Sequence, residues 1–295
     1  GKTPMVILLV EWLQATGQRV AVLSRGYKRT STAAQVLVSN GREVLAGPGD
    51  AGDEPYLIAR RCPGAVVAVG ADRAALGRWV LRQQPIDCLI LDDGFQHRAL
   101  ARDCDVVLLD AMDASGLDAM VPAGRLREPL QGIRRATAVV VTRADSAQDV
   151  DAVRSRVAGV RSPDAAPIDV RFRADGLVSV GSSAQHAVDW AIGKRVWLVS
   201  GIGNSQAFRR LAMDLGMQVL GETAYRDHHA YGAEDVTRLR TQAARTGAEL
   251  VVTTEKDAGK VAPLLADDDP WWALRIRADV VRGEALLRNL VLGTR

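Results

Sequence analysis

The sequence predicts an α/β protein, with a parallel sheet covered by helices and a second, smaller α/β domain. Two observations lead to this prediction. Short β-branched runs alternate with amphipathic stretches of helical period along the whole chain. Several of these runs end in a polar or acidic residue, as buried parallel strands do where their carboxyl ends face a site. We expect the first domain over residues 1–167 and the second over residues 168–295.

The first domain is expected to open with a helix over residues 3–16. Pro4 falls in its first turn, where the missing N–H costs nothing, and Gly17 ends it. Another helix is expected to start around Pro55. The predicted strands are the runs RVAVLSRGY, AVVAVG, CLILDDG, CDVVLLDA and TAVVVT.

The second half of the chain carries another helix and a second set of strands. A helix is expected at about 146–158, followed by the alternating segment PIDVRFRADGLVSV, which we interpret as a hairpin that turns at Asp175-Gly176. The later strands are predicted in RVWLVSGIGN, MQVLGE, ELVVTTEKD and WWALRIRADV.

Composition narrows the class of protein. A net charge of +3 over 295 residues, with dispersed basic residues, does not indicate a nucleic-acid-binding surface. The three cysteines lack paired spacing, and buried thiols in a reducing compartment fit them better than disulfides or zinc. The longest apolar run is far shorter than the ~20 residues that span a bilayer. Only 5 of the 38 basic residues are lysines, and the rest are arginines. A lysine in such a chain indicates a position where a compact point charge is needed and arginine does not substitute for it.

The first three residues, Gly1, Lys2 and Thr3, match the end of a phosphate-binding loop, G-x-x-x-x-G-K-[ST]. The tripeptide alone is equally compatible with an ordinary helix start. Its place before an apolar helix, together with a strand that ends in paired acids, favours the nucleotide interpretation. We expect the missing half of the loop to precede Gly1.

The paired acids are Asp92 and Asp93, which follow an apolar strand. In nucleotide-binding loops of this kind, an Asp at the end of a neighbouring strand holds Mg²⁺ between the β- and γ-phosphates. The alternative is a tight turn at Asp93-Gly94.

Three further stretches carry candidate chemistry. GDAGDEP places Asp50, Asp53 and Glu54 at a helix start, where one acid suffices as a cap and another is a candidate general base. The segment VPAGRLREPL carries two arginines, Arg125 and Arg127, which are suited to pairing with phosphate oxygens. The alternative interpretation is a solvated loop. RDHHAY joins adjacent histidines to an acid, which indicates either an oriented imidazole or a surface turn. SGIGN and TTEKDAGK follow strands and are weaker candidates for contacts with anions.

Taken together and in this order, GKTP, SRGYK, GDEP, ADR, LDDGFQHRAL, VPAGRLREPL, SGIGN, RDHHAY and TEKDAGK resemble the tetraacyldisaccharide 4′-kinase family over essentially the whole chain. The resemblance implies transfer of the ATP γ-phosphoryl group to the 4′-hydroxyl of a tetraacyl glucosamine disaccharide 1-phosphate in lipid A, and hence lipopolysaccharide, biosynthesis. It also implies a P-loop domain and a smaller α/β domain joined by a short β linker. Further implications are ATP with Mg²⁺ and a place at the cytoplasmic face of the bacterial inner membrane, reached through an N-terminal helix that would precede Gly1.

The resemblance also implies roles for individual residues. Asp53 matches the general base, supported across the cleft by His228 or, as second choice, His229. Thr3 and Asp92 match metal-binding positions. The remaining matches are nucleotide-binding or substrate-binding positions: Gly1, Lys2, Asp93, Gln96, Arg73, Arg127 and Glu128.

Two other hypotheses stay open at the level of sequence. A P-loop ATPase switch that regulates a protein partner would explain GKT and LDDG but leaves DHHAY and GRLREP without a role. An inactive fragment would follow from the incomplete loop.

Overall fold

A computed structural model describes residues 1–145, 150–161 and 167–293 of the chain. Within them, no helix is long and apolar enough to cross a bilayer. The α-helices are α1 (Lys2–Ala15), α2 (Pro48–Ala51), α3 (Asp53–Arg61), α4 (Arg73–Gln83), α5 (Val150–Ala158), α6 (Ser205–Asp214), α7 (Ala233–Thr246), α8 (Glu255–Val261) and α9 (Glu284–Leu292). Short 3₁₀ segments lie at Ala111–Asp113, Ser115–Leu117, Leu130–Arg135, Val188–Ala191 and Ala262–Leu264.

The strands lie where the apolar runs predict them, with two additions. They are β1 (Val20–Ser24), β2 (Gln35–Asn40), β3 (Val66–Gly70), β4 (Cys88–Leu91), β5 (Val106–Asp110), β6 (Ala138–Thr142), β7 (Ile168–Ser179), β8 (Gln185–His186), β9 (Arg195–Ser200), β10 (Gln218–Ala224), β11 (Leu250–Thr254) and β12 (Trp271–Arg282). The additions are β2, whose run is less apolar than its neighbours, and the two-residue β8. The α/β fold class is confirmed.

The chain divides into two compact units, and each is built from separate stretches of sequence. The first unit contains residues 1–24, 72–173 and the chain from residue 277 onward, and the second contains residues 25–71 and 174–276. Two of the passages between units fall inside strands β7 and β12. The expected division at residue 167 falls six residues before one of these passages, and it stays a prediction about domains.

In the first unit, β1 pairs with β4 in parallel, and β5, β6 and β7 form a parallel set. Helix α1 packs its apolar side into a core with β6, β7 and α9, through Met5, Trp12, Val140 and Leu287. This helix is apolar on most of its surface, which suits a helix buried on several sides. Its burial fixes the position of its first residues, Gly1 to Thr3.

In the second unit, β10, β9, β11 and β12 run parallel, and β2 pairs with β3 in the antiparallel sense. Helices α3 and α8 are linked by an ion pair in which Nη1 of Arg61 donates to both carboxylate oxygens of Glu255, at 2.7 and 3.0 Å, with both side chains about nine-tenths buried. Breaking a buried pair of this kind costs several kcal/mol, of the order of 3–5. The pair therefore holds the first turn of α8 against α3.

Two expectations about local structure have different outcomes. The hairpin predicted to turn at Asp175-Gly176 is wrong, because β7 continues through both residues and pairs in the antiparallel sense with β8 instead. Gly176 has a φ of +143°, and a Cβ there would lie 2.8 Å from the carbonyl oxygen of His186. Its glycine thus serves close strand approach and not a turn. Of the helix expected at 146–158, residues 146–149 lie outside the described residues.

Candidate active site

The amino end of α1 carries the first group of predicted site residues. The Lys2 ammonium donates to Oδ1 of Asp93 at 2.8 Å, and the Arg127 guanidinium donates to Oδ2 at 2.7 Å. All three side chains are more than a third exposed, so they remain accessible to a ligand. The single carboxylate thus gathers two cations beside a helix N-terminus, which is itself favourable for anions.

The conformation and charge of Asp93 fit this arrangement. Its φ is +55°, in the left-handed region that Asp tolerates better than most residues. Burial opposes its ionisation, but hydrogen bonds from Lys2 and Arg127 outweigh burial, so the pKa of Asp93 is lowered. The carboxyl group is therefore ionised at neutral pH, as an ion-pair partner must be.

Asp92 is buried and lies beside the end of β1. Because β1 and β4 pair in parallel, with Leu23 opposite Leu91, the residues that follow are neighbours. Oδ2 of Asp92 accepts a hydrogen bond from the Ser24 hydroxyl at 2.9 Å. Thr3 lies in the first turn of α1. These groups offer hydroxyl and carboxylate oxygens, the donors that Mg²⁺ prefers. Their chemistry suits Mg²⁺ shared with phosphate oxygens, although no group of three or more His, Cys, Asp or Glu among the described residues forms a metal cage.

Gln96 and Glu128 form a second cluster in the first unit. The Gln96 amide donates to Oε1 of Glu128 at 3.0 Å, and Arg135 donates to both carboxylate oxygens. The pKa of Glu128 is lowered, since these hydrogen bonds outweigh the effect of burial. Gln96, Arg127 and Glu128 line a cavity of about 230 Å³ in the same unit.

Two other predicted residues hold defined positions. Gly1 precedes α1, and a Cβ there would lie 2.6 Å from Cζ of Phe172, so the close approach requires glycine. Arg73 is the first residue of α4 and is 6% exposed. Its binding role stays a prediction. Arg125 forms an ion pair with Asp113 at 3.0 Å, and its side chain is 80% exposed. It therefore has a different partner from Arg127, which forms its ion pair with Asp93.

The second unit brings Asp53 and His228 together. Nδ1 of His228 lies 3.0 Å from Oδ2 of Asp53, and each side chain is 10% exposed. Asp53 is the first residue of α3. The preceding residue, Gly52, has a φ of +91°, and a Cβ at this position would lie only 3.0 Å from the Tyr27 carbonyl oxygen. Glycine in GDEP therefore lets the chain turn so that the carboxylate sits at a helix N-terminus, where negative charge is favoured.

A lysine on the far side of the imidazole fixes its tautomer. Lys256 Nζ lies 3.3 Å from Nε2 of His228, 2.9 Å from Glu54 Oε1 and 3.1 Å from Asp227 Oδ1. Burial opposes its charge, but the two carboxylates outweigh burial and raise the pKa of Lys256. An ammonium can only donate, so Nε2 accepts and Nδ1 carries the proton that is donated to Asp53. The Lys256 side chain is 17% exposed, so this lysine is a largely buried partner of the imidazole.

His229 has a different environment from its neighbour. Its Nε2 lies 3.0 Å from Oδ2 of Asp235, and its ring stacks on Tyr225 with centroids 4.1 Å apart. Asp235 also accepts from the Gly232 N–H at the start of α7. His229 thus contacts the cap of a helix, and of the two candidate histidines only His228 contacts Asp53.

The comparisons with known proteins cover nearly the whole chain. The model of the family described as "LpxK: Tetraacyldisaccharide-1-P 4′-kinase" matches residues 1–293. The chain belongs to this family. A tetraacyldisaccharide 4′-kinase of Anaeromyxobacter sp. (strain Fw109-5) is 45% identical over 96% of this chain and 76% of the relative, and one from Syntrophus aciditrophicus is 39% identical over 90% of this chain and 72% of the relative.

A solved LpxK structure shares the fold. The crystal structure from Aquifex aeolicus, described as an "apo" form in complex with ATP, has a TM-score of 0.75 and 30% identity, and the match covers 99% of this chain and 84% of that one. The recognition made from the motifs is confirmed. LpxK enzymes are kinases that phosphorylate the 4′-hydroxyl of a tetraacyl disaccharide 1-phosphate in lipid A biosynthesis.

For this LpxK chain, one expectation about the site differs from the structure. Asp53 and its supporting histidine were expected to come from different domains, across a cleft. Both lie in the second unit, because the segment 25–71 that carries Asp53 is part of it. Neither composition nor periodicity could have predicted that residues 25–71 belong to a different unit from the stretches before and after them.

Two site residues were not anticipated. Ser24, beside Asp92, could have been found from the parallel register of two predicted strands. Lys260, whose Nζ lies 3.3 Å from Oδ2 of Asp53, is one of the rare lysines, and that rarity was its only signal in the sequence.

Proposed function

We propose that this chain transfers the γ-phosphoryl group of ATP to the 4′-hydroxyl of a tetraacylated glucosamine disaccharide 1-phosphate, with Asp53 as general base. The observation that carries the proposal is the 3.0 Å contact between Asp53 and a histidine whose tautomer is set by Lys256. The GDEP and DHHAY motifs, far apart in sequence, meet in this contact.

The chemistry assigned to Asp53 is proton removal. The 4′-oxygen attacks the γ-phosphorus, the bond from that phosphorus to the β–γ bridging oxygen breaks, and ADP leaves with the electron pair. The hydroxyl proton passes to the carboxylate of Asp53. His228, which donates from Nδ1, holds that carboxylate in place and lets it remain charged until the proton arrives.

Lys2 and Arg127 are proposed to neutralise charge on the transferring phosphate. Phosphoryl transfer depends on positioning and electrostatic stabilisation more than on covalent chemistry. Asp93 holds both cations beside the start of α1, so little reorganisation is needed when phosphate oxygens arrive. Thr3 and Asp92 would hold Mg²⁺, which would supply positive charge to the phosphate groups. Gln96, Glu128 and Arg73 are proposed as further binding residues.

The proposed location rests on the chemistry of the two substrates. A tetraacylated acceptor resides in a membrane, and ATP is supplied by the cytoplasm, so we place the reaction at the cytoplasmic face of the bacterial inner membrane. A membrane-associated segment preceding Gly1 would bring the enzyme to that surface.

Acceptor-dependent phosphorylation tests the proposal. The complete product of the gene is incubated in detergent micelles with ATP labelled at its γ-phosphate, Mg²⁺ and a tetraacyl disaccharide 1-phosphate, beside a sample without acceptor. We expect labelled lipid only when acceptor is present. Phosphate release that does not depend on the acceptor, with no labelled lipid, would contradict the proposal and favour an ATPase.

A further inference from the structure

Lys260 lies within the group of charges around Asp53. Its Nζ is 3.3 Å from Oδ2 of Asp53 and 2.9 Å from Oδ1 of Asp257, and its side chain is 11% exposed. The ammonium therefore sits between two carboxylates in a largely buried place. Charges in such surroundings interact more strongly than they do in water.

The two partners of Asp53 approach the same carboxylate oxygen. His228 Nδ1 and Lys260 Nζ both contact Oδ2, at 3.0 and 3.3 Å. Among the described residues no donor contacts Oδ1. The carboxylate is thus held by one oxygen, and the other is available to accept the proton of an incoming hydroxyl.

Lys260 also contacts Asp257 and Tyr231. Asp257 is fully buried, and its Oδ2 accepts from the Gly201 N–H at 2.9 Å and the Thr254 hydroxyl at 2.7 Å. The Lys260 ammonium also lies 5.3 Å from the ring centroid of Tyr231, within the range of cation–π attraction. These contacts give the ammonium one position relative to Asp53.

The placement of two lysines on α8 is unusual for this chain. Lys256 and Lys260 are two of the five lysines in a protein with 38 basic residues. They are four residues apart and so share one helix face. Lys256 contacts the imidazole and Lys260 contacts the carboxylate. The Lys260 ammonium, a compact point charge, lies between the Asp53 and Asp257 carboxylates.

We propose that Lys260 is a positioning residue for phosphoryl transfer, which fixes Oδ2 of Asp53 so that Oδ1 receives the proton of the acceptor hydroxyl. The inference rests on the proposed function, because it assigns a role to a partner of the proposed base. It gives the TTEKDAGK motif a role: Asp257 anchors Lys260, and Lys256 and Lys260 hold the two members of the dyad.

The test compares Lys260→Met and Lys260→Arg with the wild type in the complete protein. We expect Lys260→Met to lower kcat about 10- to 100-fold, the range for a misplaced catalytic group, with the KM for ATP unchanged. Lys260→Arg, which keeps the charge, should restore part of kcat. Lys194→Met removes a lysine of the same unit that lies over Trp190 and should leave both kcat and the KM for ATP unchanged.

The outcomes separate the inference from the function. Wild-type protein without acceptor-dependent transfer would refute the function, whatever the variants do. An active wild type with Lys260→Met at full kcat would overturn the inference alone. Equal loss of kcat in the Met and Arg variants would reduce Lys260 to a packing role and overturn it too. If Lys260→Met does not fold, as judged by its thermal unfolding, Lys260→Gln takes its place, with the same criteria.

Discussion

His228 and Asp53 are 175 residues apart in sequence, yet Nδ1 of His228 lies 3.0 Å from Oδ2 of Asp53. The pair is buried, and a lysine on the other side of the imidazole leaves Nδ1 as the donor. The contact orients the Asp53 carboxyl group, and a general base for a sugar hydroxyl requires a defined orientation.

Replacing the general base Asp53 should lower the turnover number and leave the KM for ATP nearly unchanged. We expect Asp53→Asn to lower kcat at least ~10²-fold, the usual contribution of a general base, because the amide cannot take the proton. The KM for ATP should stay within about twofold, since the side chains assigned to phosphate lie in the first unit. Steady-state kinetics with the lipid acceptor measure both, and near-wild-type turnover would remove Asp53 from this role.

The adjacent histidines should respond differently to the same substitution. His228→Gln is expected to lower kcat by about 10- to 100-fold, because it removes the Nδ1 donor to Asp53. His229→Gln should retain most of kcat and lower the unfolding temperature instead, because His229 contacts Asp235 at the start of α7. Each variant is the control for the other, and a larger loss of kcat at His229 would reverse the assignment.

The cations beside α1 should act on ATP. We expect Arg127→Met to raise the KM for ATP or lower kcat/KM about tenfold or more, because a charge-assisted contact to phosphate is lost. Arg134→Met is the matched control, since Arg134 donates to the Val160 carbonyl oxygen and contacts neither Asp93 nor Glu128. Equal kinetics for the two variants would exclude Arg127 from nucleotide binding.

Stability should depend on pH through Asp235. Burial opposes ionisation of this residue, but bonds from Gly232, His229 and Arg238 outweigh it and lower its pKa from 3.8 to about 2. A depressed carboxyl pKa stabilises the fold above the unfolded value, and that contribution is lost as the pH falls from 3.8 towards 2.

The variant that isolates this effect is Asp235→Asn. At pH 7 it should lower the free energy of unfolding by about 1 kcal/mol, the usual value of a helix cap, and the difference from the wild type should shrink as the pH falls below 3.8. Denaturant unfolding at several pH values measures it, with the exposed Asp268→Asn as control. A difference that stays constant from pH 7 to pH 2 would contradict the ionic explanation.

The sequence predicted most of the strands correctly but fewer of the contacts in the site. The strands that begin at Val20, Val66 and Val106 are short apolar runs bounded by polar residues, so their positions are local properties. The hairpin at Gly176 was wrong because Asp-Gly commonly turns, whereas here the glycine serves close approach to a neighbouring strand. Local signals cannot separate these two uses of glycine.

The site was predicted as a set of residues but not as a set of contacts. GDEP and DHHAY indicated Asp53 and the two histidines, but the choice of His228 depends on a loop in which that residue has a φ of +65°. Lys260 contacts Asp53 only because α3, which carries Asp53, packs against α8, which carries Lys260 and Asp257. Long-range packing decided these details, and no local pattern records it.

The interleaved arrangement of the two units has a consequence for synthesis of the protein. The core around α1 contains Met5 and Trp12 from that helix and Leu287 from α9, with the Arg288 guanidinium 4.1 Å from the Trp12 ring centroid. Helix α1 therefore leaves the ribosome long before its partner α9 has been translated. During that interval the apolar side of α1 that α9 covers in the folded protein is exposed, and a stop codon shortly before α9 would leave it uncovered for chaperones and proteases to find.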